Sequence, residues 1–224
     1  MSVTVIIPTL NEAETLAGVL GAIPRSSVLE ILVVDGGSTD GTPDIAERCG
    51  ACLIREPRSG YGWACAAGVS AARGEIVAFL DADGADDPRH LPELAAPLAI
   101  GQAEMALGSR LAGRIEPGAM PWHQRAGNRL CARLIRSLYG LPITDLSPFR
   151  AVQRSALLEL DLREMTYGWL TEMIVKAARR GWRICELPVD YHPRQGGKSK
   201  ISGTWRGSLL ATYHILSTIL RHAR

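Results

Sequence analysis

Residues 76–83 read Ile-Val-Ala-Phe-Leu-Asp-Ala-Asp, an apolar run that stops at two carboxylates spaced i and i+2. Behind Gly74, a run of that length and type predicts a buried strand. In α/β sheets, ligands bind at the carboxyl ends of strands. Asp81 and Asp83 are poor core material, because burying unpaired charge is costly. They suit a hard divalent cation, which takes oxygen ligands and leaves positions for phosphate oxygens. The competing reading is a solvated loop with two acids by chance.

The rest of the chain gives that strand neighbours. Val3–Ile7, Ile31–Val34, Cys52–Ile54, Glu104–Leu107 and Arg183–Val189 are further strand-like runs, and Thr144–Val152 reads as a loop and strand. Between them lie helical segments: one beginning at a polar cap at Asn11-Glu12, one near Pro43, then 62–72, 88–100, 121–139, a short one capped by Ser155, 168–180 and 204–221. This alternation predicts an α/β, Rossmann-like doubly wound sheet, mostly parallel and flanked by helices. Three polar loops, 8–12, 35–41 and 81–83, then share one sheet edge and line one crevice. On this reading 1–224 is one domain. Residues 1–110 bind the ligand, and 111–224 form a second half ending in an amphipathic helix with Trp205, Leu209, Leu216 and Leu220 on its apolar face.

A formal net charge of +2 offers no global field for nucleic acid. The basic residues concentrate at 125–136 and 179–206, patches that suit phosphates or an anionic membrane surface. The five cysteines show no disulfide-framework spacing. Cys49-Gly-Ala-Cys52 falls between a helix end and a strand start, the wrong context for a redox motif. The expectation is buried thiols in a reducing cytoplasm. No signal peptide or membrane-spanning segment is evident, so any membrane contact is peripheral. Gly197-Lys198-Ser199 ends like a P-loop, but His192 stands where its first Gly belongs. Gly60-Tyr-Gly62 starts like a dinucleotide fingerprint, but Cys65 replaces the third Gly.

The motifs in order resemble family 2 glycosyltransferases of the GT-A fold. They are Pro8-Thr9-Leu10-Asn11-Glu12, Val34-Asp35-Gly36-Gly37-Ser38-Thr39-Asp40-Gly41-Thr42 and Asp81-Ala82-Asp83. Gly108-Ser109-Arg110 and Arg194-Gln-Gly-Gly-Lys-Ser-Lys200 look like the polyprenyl-phosphate sugar transferases, typified by dolichyl-phosphate mannosyltransferase. The resemblance covers nearly the whole chain.

It implies a sugar transfer, with inversion, from a UDP- or GDP-sugar to an acceptor, foremost a polyprenyl phosphate. Pro8, Thr9, Asn11, Glu12, Asp35, Gly60, Asp81 and Ala82 would hold the nucleotide, with Asp35 accepting from the base. Asp83 would bind Mg²⁺ or Mn²⁺ with the donor diphosphate. A lipid phosphate oxygen is already anionic, so its attack needs cationic guidance rather than a strong base. Asp81, Arg110 and Arg194 are the candidates nearest the chemistry, and Arg125, Lys198, Ser199 and Lys200 are candidate phosphate binders. Glu172 is a candidate base or acceptor-orienting acid. Asp145 is expected to orient an arginine.

Two departures from the family pattern stand out. Gly36 replaces a frequent second Asp, and Ala85 stands near the place of a metal-holding Gln, for which Asp86, Asp87 or water would compensate. A saccharide hydroxyl acceptor in cell-envelope glycan synthesis, and a non-catalytic nucleotide-sugar scaffold, are the alternatives. The first makes a base such as Glu172 indispensable. The expected location is the cytoplasm, at the inner face of the membrane if the acceptor is a lipid. Association with a second copy stays open.

Overall fold

The computed structural model describes residues 2–196 and 205–223, the side chains of 205–211 excepted. Seven strands form one sheet: β1 (Val3–Thr9), β2 (Glu30–Asp35), β3 (Cys52–Arg55), β4 (Ile76–Phe79), β5 (Met105–Ser109), β6 (Arg150–Gln153) and β7 (Ile184–Pro188). Their order is β3-β2-β1-β4-β6-β5-β7. β6 runs antiparallel to both β4 and β5, and the remaining pairings are parallel. The expected mostly parallel sheet is present, with one reversed strand inserted near its middle.

Both faces of the sheet are covered, so central strands are apolar on both sides. On β1, Ile6 enters one core layer, while Val5 and Ile7 enter the other. The Ile6 layer is closed by α3 (Tyr61–Ala71), α5 (Trp122–Tyr139), α6 (Arg154–Glu159), α7 (Trp169–Arg179) and α8 (Trp205–Arg221). The opposite layer is closed by α1 (Leu16–Ala22), α2 (Thr42–Arg48) and α4 (Leu91–Ala99). The small residues of α3 let it lie close on β1. A Cβ at Gly68 would sit 2.5 Å from Ile6 Cγ2.

Several local expectations differ from the structure. Pro8 does not close β1, which runs on to Thr9. The first helix begins at Leu16, behind a turn in which the Leu16 amide donates to the Glu12 carbonyl at 3.0 Å, and Asn11, with a left-handed φ of 52°, lies outside it. Ser155 is not a cap; α6 starts at Arg154 behind Gln153. Cys52 is exposed and Cys49 only half-buried, so these two are not core thiols, and the five cysteines are free. Among the described side chains of α8, the buried ones are Thr218 and Ile219, while Leu220 is exposed and Leu216 partly buried. Trp205 and Leu209 lie outside the described side chains.

This topology gathers one edge. The carboxyl ends of β1, β2, β4, β5 and β7 point the same way, and reversed β6 begins there. The loops after those five strands and the 144–149 loop before β6 therefore meet.

Candidate active site

Asp81 and Asp83 sit just beyond β4 at that edge. Tyr61, at the start of α3, donates its hydroxyl to Asp81 Oδ1 at 3.1 Å. Burial, and then the neighbouring Asp83 carboxylate, push Asp81 up to about 7. Asp83 Oδ1 accepts from the Ala85 amide at 3.0 Å, and its Oδ2 lies 3.1 Å from Arg194 Nη1. The turn needs Gly84, whose φ is 72° and whose missing Cβ would lie 2.9 Å from Gln195 Cδ.

Asp86 lies deeper. It is 4% exposed, and its Oδ1 is buried without a hydrogen-bond partner. Burial pushes its carboxyl up to about 8, against the pull of Arg110. Asp87 differs: its carboxylate takes the Arg89 amide and guanidinium and is fully engaged in its own turn. Of the two acids expected to compensate for Ala85, only Asp86 keeps an uncommitted oxygen.

The β1 and β2 loops are tied to each other. Asn11 donates its amide to Ser38 Oγ at 2.8 Å, and its Oδ1 accepts from the Thr39 amide at 2.8 Å. Its left-handed backbone makes that exchange possible. The Glu12 amide donates to Thr42 Oγ1, and the Ala13 amide to Asp40 Oδ2. Asp35 is buried at the end of β2, where it accepts from the Gly37 and Ser38 amides. Its first task is to shape its own loop, with lone pairs left for a further donor. Pro8 and Thr9 end β1 beside Val34 and Asp35, Gly60 precedes α3, and Ala82 packs in the core between the two acids.

The segments after β4 bring cations. Arg110 follows β5 and meets Asp145 in a fork: Nε to Oδ2 at 2.8 Å and Nη2 to Oδ1 at 2.8 Å. Its own amide adds a third bond to Asp145 Oδ2 at 3.0 Å. Burial alone would lower its pKa, but Asp145 outweighs that and fixes the charge. The guanidinium lies over the Tyr191 ring at 5.1 Å. The expectation that Asp145 orients an arginine therefore holds for Arg110. Buried Arg150 binds the Leu170 and Ser147 carbonyls instead.

Glu186 was not legible in the sequence as a site residue. Its carboxylate accepts from the Thr144 amide at 2.9 Å, the Thr144 hydroxyl at 2.9 Å and the Asp145 amide at 3.1 Å. It thus fixes the loop that fixes Arg110. Tyr61 and Tyr191 were also missed. A tyrosine in a helix start or after a strand carries no signal until the fold places it beside an acid or an arginine.

Arg194 reaches across the crevice. Its Nη2 lies 2.7 and 2.6 Å from the two Glu12 oxygens, while Nη1 meets Asp83. Arg125 lies on α5 with a buried Nε that has no partner, and it has no contact with the acids among the described residues. Lys198, Ser199 and Lys200 lie outside the described residues.

Glu172 is the clear correction. It is 2% exposed on α7. Its Oε2 accepts from the Arg163 and Glu164 amides at 2.8 and 2.7 Å, and its Oε1 meets Lys176 Nζ at 2.7 Å. It belongs with Asp161, Thr218 and His222 on the α7–α8 side, not with Asp81 and Asp83. A carboxylate followed four residues later by Lys176 has this structural role open to it, and the loop amides complete it.

The donor chemistry fits a hard divalent cation. Asp81 and Asp83 repel each other, Asp86 adds an oxygen without a partner, and all are oxygen ligands. Among the described residues, no three His, Cys, Asp or Glu side chains close a cage. Ligand oxygens would have to complete any shell.

A family model described as glycosyl transferase family 2 matches residues 4–160. An uncharacterised glycosyltransferase of Mycobacterium tuberculosis is 46% identical over 211 residues, 94% of each chain. The undecaprenyl-phosphate mannosyltransferase of Micrococcus luteus is 35% identical over 223 residues, 91% of this chain and 88% of that one. Among solved structures, glucosyl-3-phosphoglycerate synthase from Mycobacterium tuberculosis, in complex with Mn²⁺, UDP and glucosyl-3-phosphoglycerate, superposes with a TM-score of 0.79. That match covers 99% of this chain and 80% of the other at 22% identity, and shows a shared GT-A fold.

Proposed function

This chain belongs to glycosyl transferase family 2, and we propose that it moves a sugar, with inversion, from a nucleotide-sugar donor to a polyprenyl phosphate. The carrying observation is the charge arrangement at one sheet edge. Asp81 and Asp83 lie within the field of Arg110 and Arg194, while Glu172, a candidate base or acceptor-orienting acid, is committed elsewhere. The similarity to the undecaprenyl-phosphate mannosyltransferase of Micrococcus luteus supports the acceptor class.

In this reading residues 1–110 hold the donor. The 8–12 and 35–41 loops receive the nucleoside, with Asp35 turned to a base N–H and Asp81 to the sugar side. Bound at Asp83, Mg²⁺ or Mn²⁺ would act as a Lewis acid on the leaving diphosphate. Arg110 keeps three N–H groups beyond those Asp145 takes, enough to hold a phosphate. The acceptor phosphate oxygen attacks the anomeric carbon, the bond to the diphosphate breaks, and no proton need be removed. Arg110 and Arg194 reduce the repulsion between two anionic substrates.

The acceptor would be reached at a membrane surface, on the cytoplasmic face. α5 exposes Trp122 and Leu130 beside Arg129 and Arg133, a mixed apolar and basic surface suited to that contact. No described helix is long and apolar enough to cross a membrane.

A saccharide hydroxyl acceptor is the second reading. It is favoured by one observation: Asp81 is buried beside Asp83 at the strand end, an environment that raises its carboxyl and so its basicity. The test is release of UDP or GDP from a donor panel with Mn²⁺, with polyprenyl phosphate or an oligosaccharide added. Stimulation by polyprenyl phosphate is the expected result. Stimulation by the oligosaccharide alone supports the second reading, and no release with any pair argues for a scaffold.

A further inference from the structure

The segment after β7 is fitted onto the acidic turn. The His192 amide donates to the Ala85 carbonyl at 2.8 Å, and the Gln195 amide to the Asp83 carbonyl at 3.1 Å. Gly84 and Gly196 make room for that approach. A Cβ on either would come within 2.9 Å of Gln195 or Glu14. Arg194 is the residue this clamp delivers. Its Nε donates to the Gly196 carbonyl at 2.7 Å, Nη1 to Asp83 Oδ2 at 3.1 Å, and Nη2 to both Glu12 oxygens. Each nitrogen of the guanidinium has an acceptor, and the side chain is only 23% exposed. This is not an adventitious surface pair.

We infer that Arg194 is the resident counter-ion of Asp83, so that the site takes a divalent cation together with a diphosphate and not as the free ion. The inference rests on the proposed metal role of Asp83. A guanidinium and a divalent cation held on the same carboxylate repel each other, so each weakens the other's hold on Asp83. A free cation therefore binds against the Arg194 charge, or displaces Nη1 from Asp83 without giving it a new partner. A cation arriving with a diphosphate brings anionic oxygens that Arg194 can take as it leaves Asp83. Glu12 holds the other end of the fork throughout, so the arginine need only exchange acceptors at Nη1. The two ligands then favour each other's binding, and linkage makes that effect reciprocal.

The test is Mn²⁺ titration of the full chain by calorimetry, alone and with inorganic pyrophosphate, UDP or GDP. Wild type is expected to bind Mn²⁺ weakly alone and at least about fivefold more tightly with pyrophosphate or the matching nucleotide, within the ordinary range of coupling. Arg194→Ala and Arg194→Gln are expected to raise nucleotide-free Mn²⁺ affinity by at least about fivefold and to shrink the coupling. Unchanged or weaker Mn²⁺ binding in both variants, with binding lost in Asp83→Ala, overturns the counter-ion role and leaves the metal site standing. Mn²⁺ binding that Asp83→Ala does not alter overturns the metal assignment and this inference with it.

Discussion

Arg110 and Asp145 form a buried fork: two bonds of 2.8 Å join the guanidinium to a carboxylate that is itself 1% exposed. The pair ties the strand end after β5 to the loop before β6. Removing one member leaves the other charge buried and unpaired, which costs about 3–5 kcal/mol. Asp145→Ala is therefore expected to lower the urea midpoint strongly. The double change Arg110→Met with Asp145→Leu is expected to recover much of the stability and none of the transfer activity. Recovery of activity in the double variant would show that the pair is only structural.

Glu186 acts on the same arginine at one remove, by holding Thr144 and Asp145. Glu186→Gln keeps one acceptor oxygen, whereas Glu186→Ala keeps none. The alanine variant is expected to lose at least about tenfold in kcat, with the donor KM little changed, because misplacement of a positioned group affects the reacting geometry first. The glutamine variant is expected to fall between the two. Equal losses in kcat and donor binding would place Glu186 in general folding.

The acids at the sheet edge give the protein a definite pH signature. Asp81 is raised to about 7 and Asp86 to about 8, in both cases chiefly by burial. The folded chain therefore holds more protons at these two sites than the unfolded chain above pH 4. Their contribution to stability is full below the unfolded carboxylate range and is lost as pH rises through about 7 to 8. Urea midpoints at pH 5 and pH 8 are expected to show a smaller loss in Asp86→Asn than in wild type. Donor binding that needs ionised Asp81 is expected to strengthen across the same window. A loss in Asp86→Asn equal to that of wild type would remove Asp86 from this account.

Glu172 is expected to behave as a structural acid. Glu172→Gln cannot accept on both oxygens, so it weakens the ties to the Arg163 and Glu164 amides and to Lys176. A loss of about 1–3 kcal/mol in stability is expected, with donor binding retained. A stable variant that binds donor and has no turnover would return Glu172 to the chemistry.

These outcomes also show what a single sequence can reveal. The apolar run at 76–80 and the carboxylates behind it located a strand and the sheet edge where the acids sit, because burial and charge cost are local. The 8–12 and 35–41 loops could be placed beside it because parallel strands share an edge. Glu172 misled because an acid on an amphipathic helix looks the same whether it faces a crevice or loop amides. Glu186 was invisible because it lies inside a strand and acts through a loop more than forty residues away in sequence. The reversal of β6, which brings Asp145 to Arg110, has no signature in the run Arg-Ala-Val-Gln itself.

The central claim is that Asp83 holds a cation with the donor diphosphate. The most direct measurement is the thermal shift of wild type and Asp83→Ala with UDP-, GDP- and dTDP-sugars, each with Mn²⁺ or Mg²⁺. At a hundredfold its dissociation constant, the true donor stabilises by about 2.7 kcal/mol. A metal-dependent shift for one donor in wild type, absent in Asp83→Ala, is the predicted result. A shift of equal size in Asp83→Ala would contradict the claim.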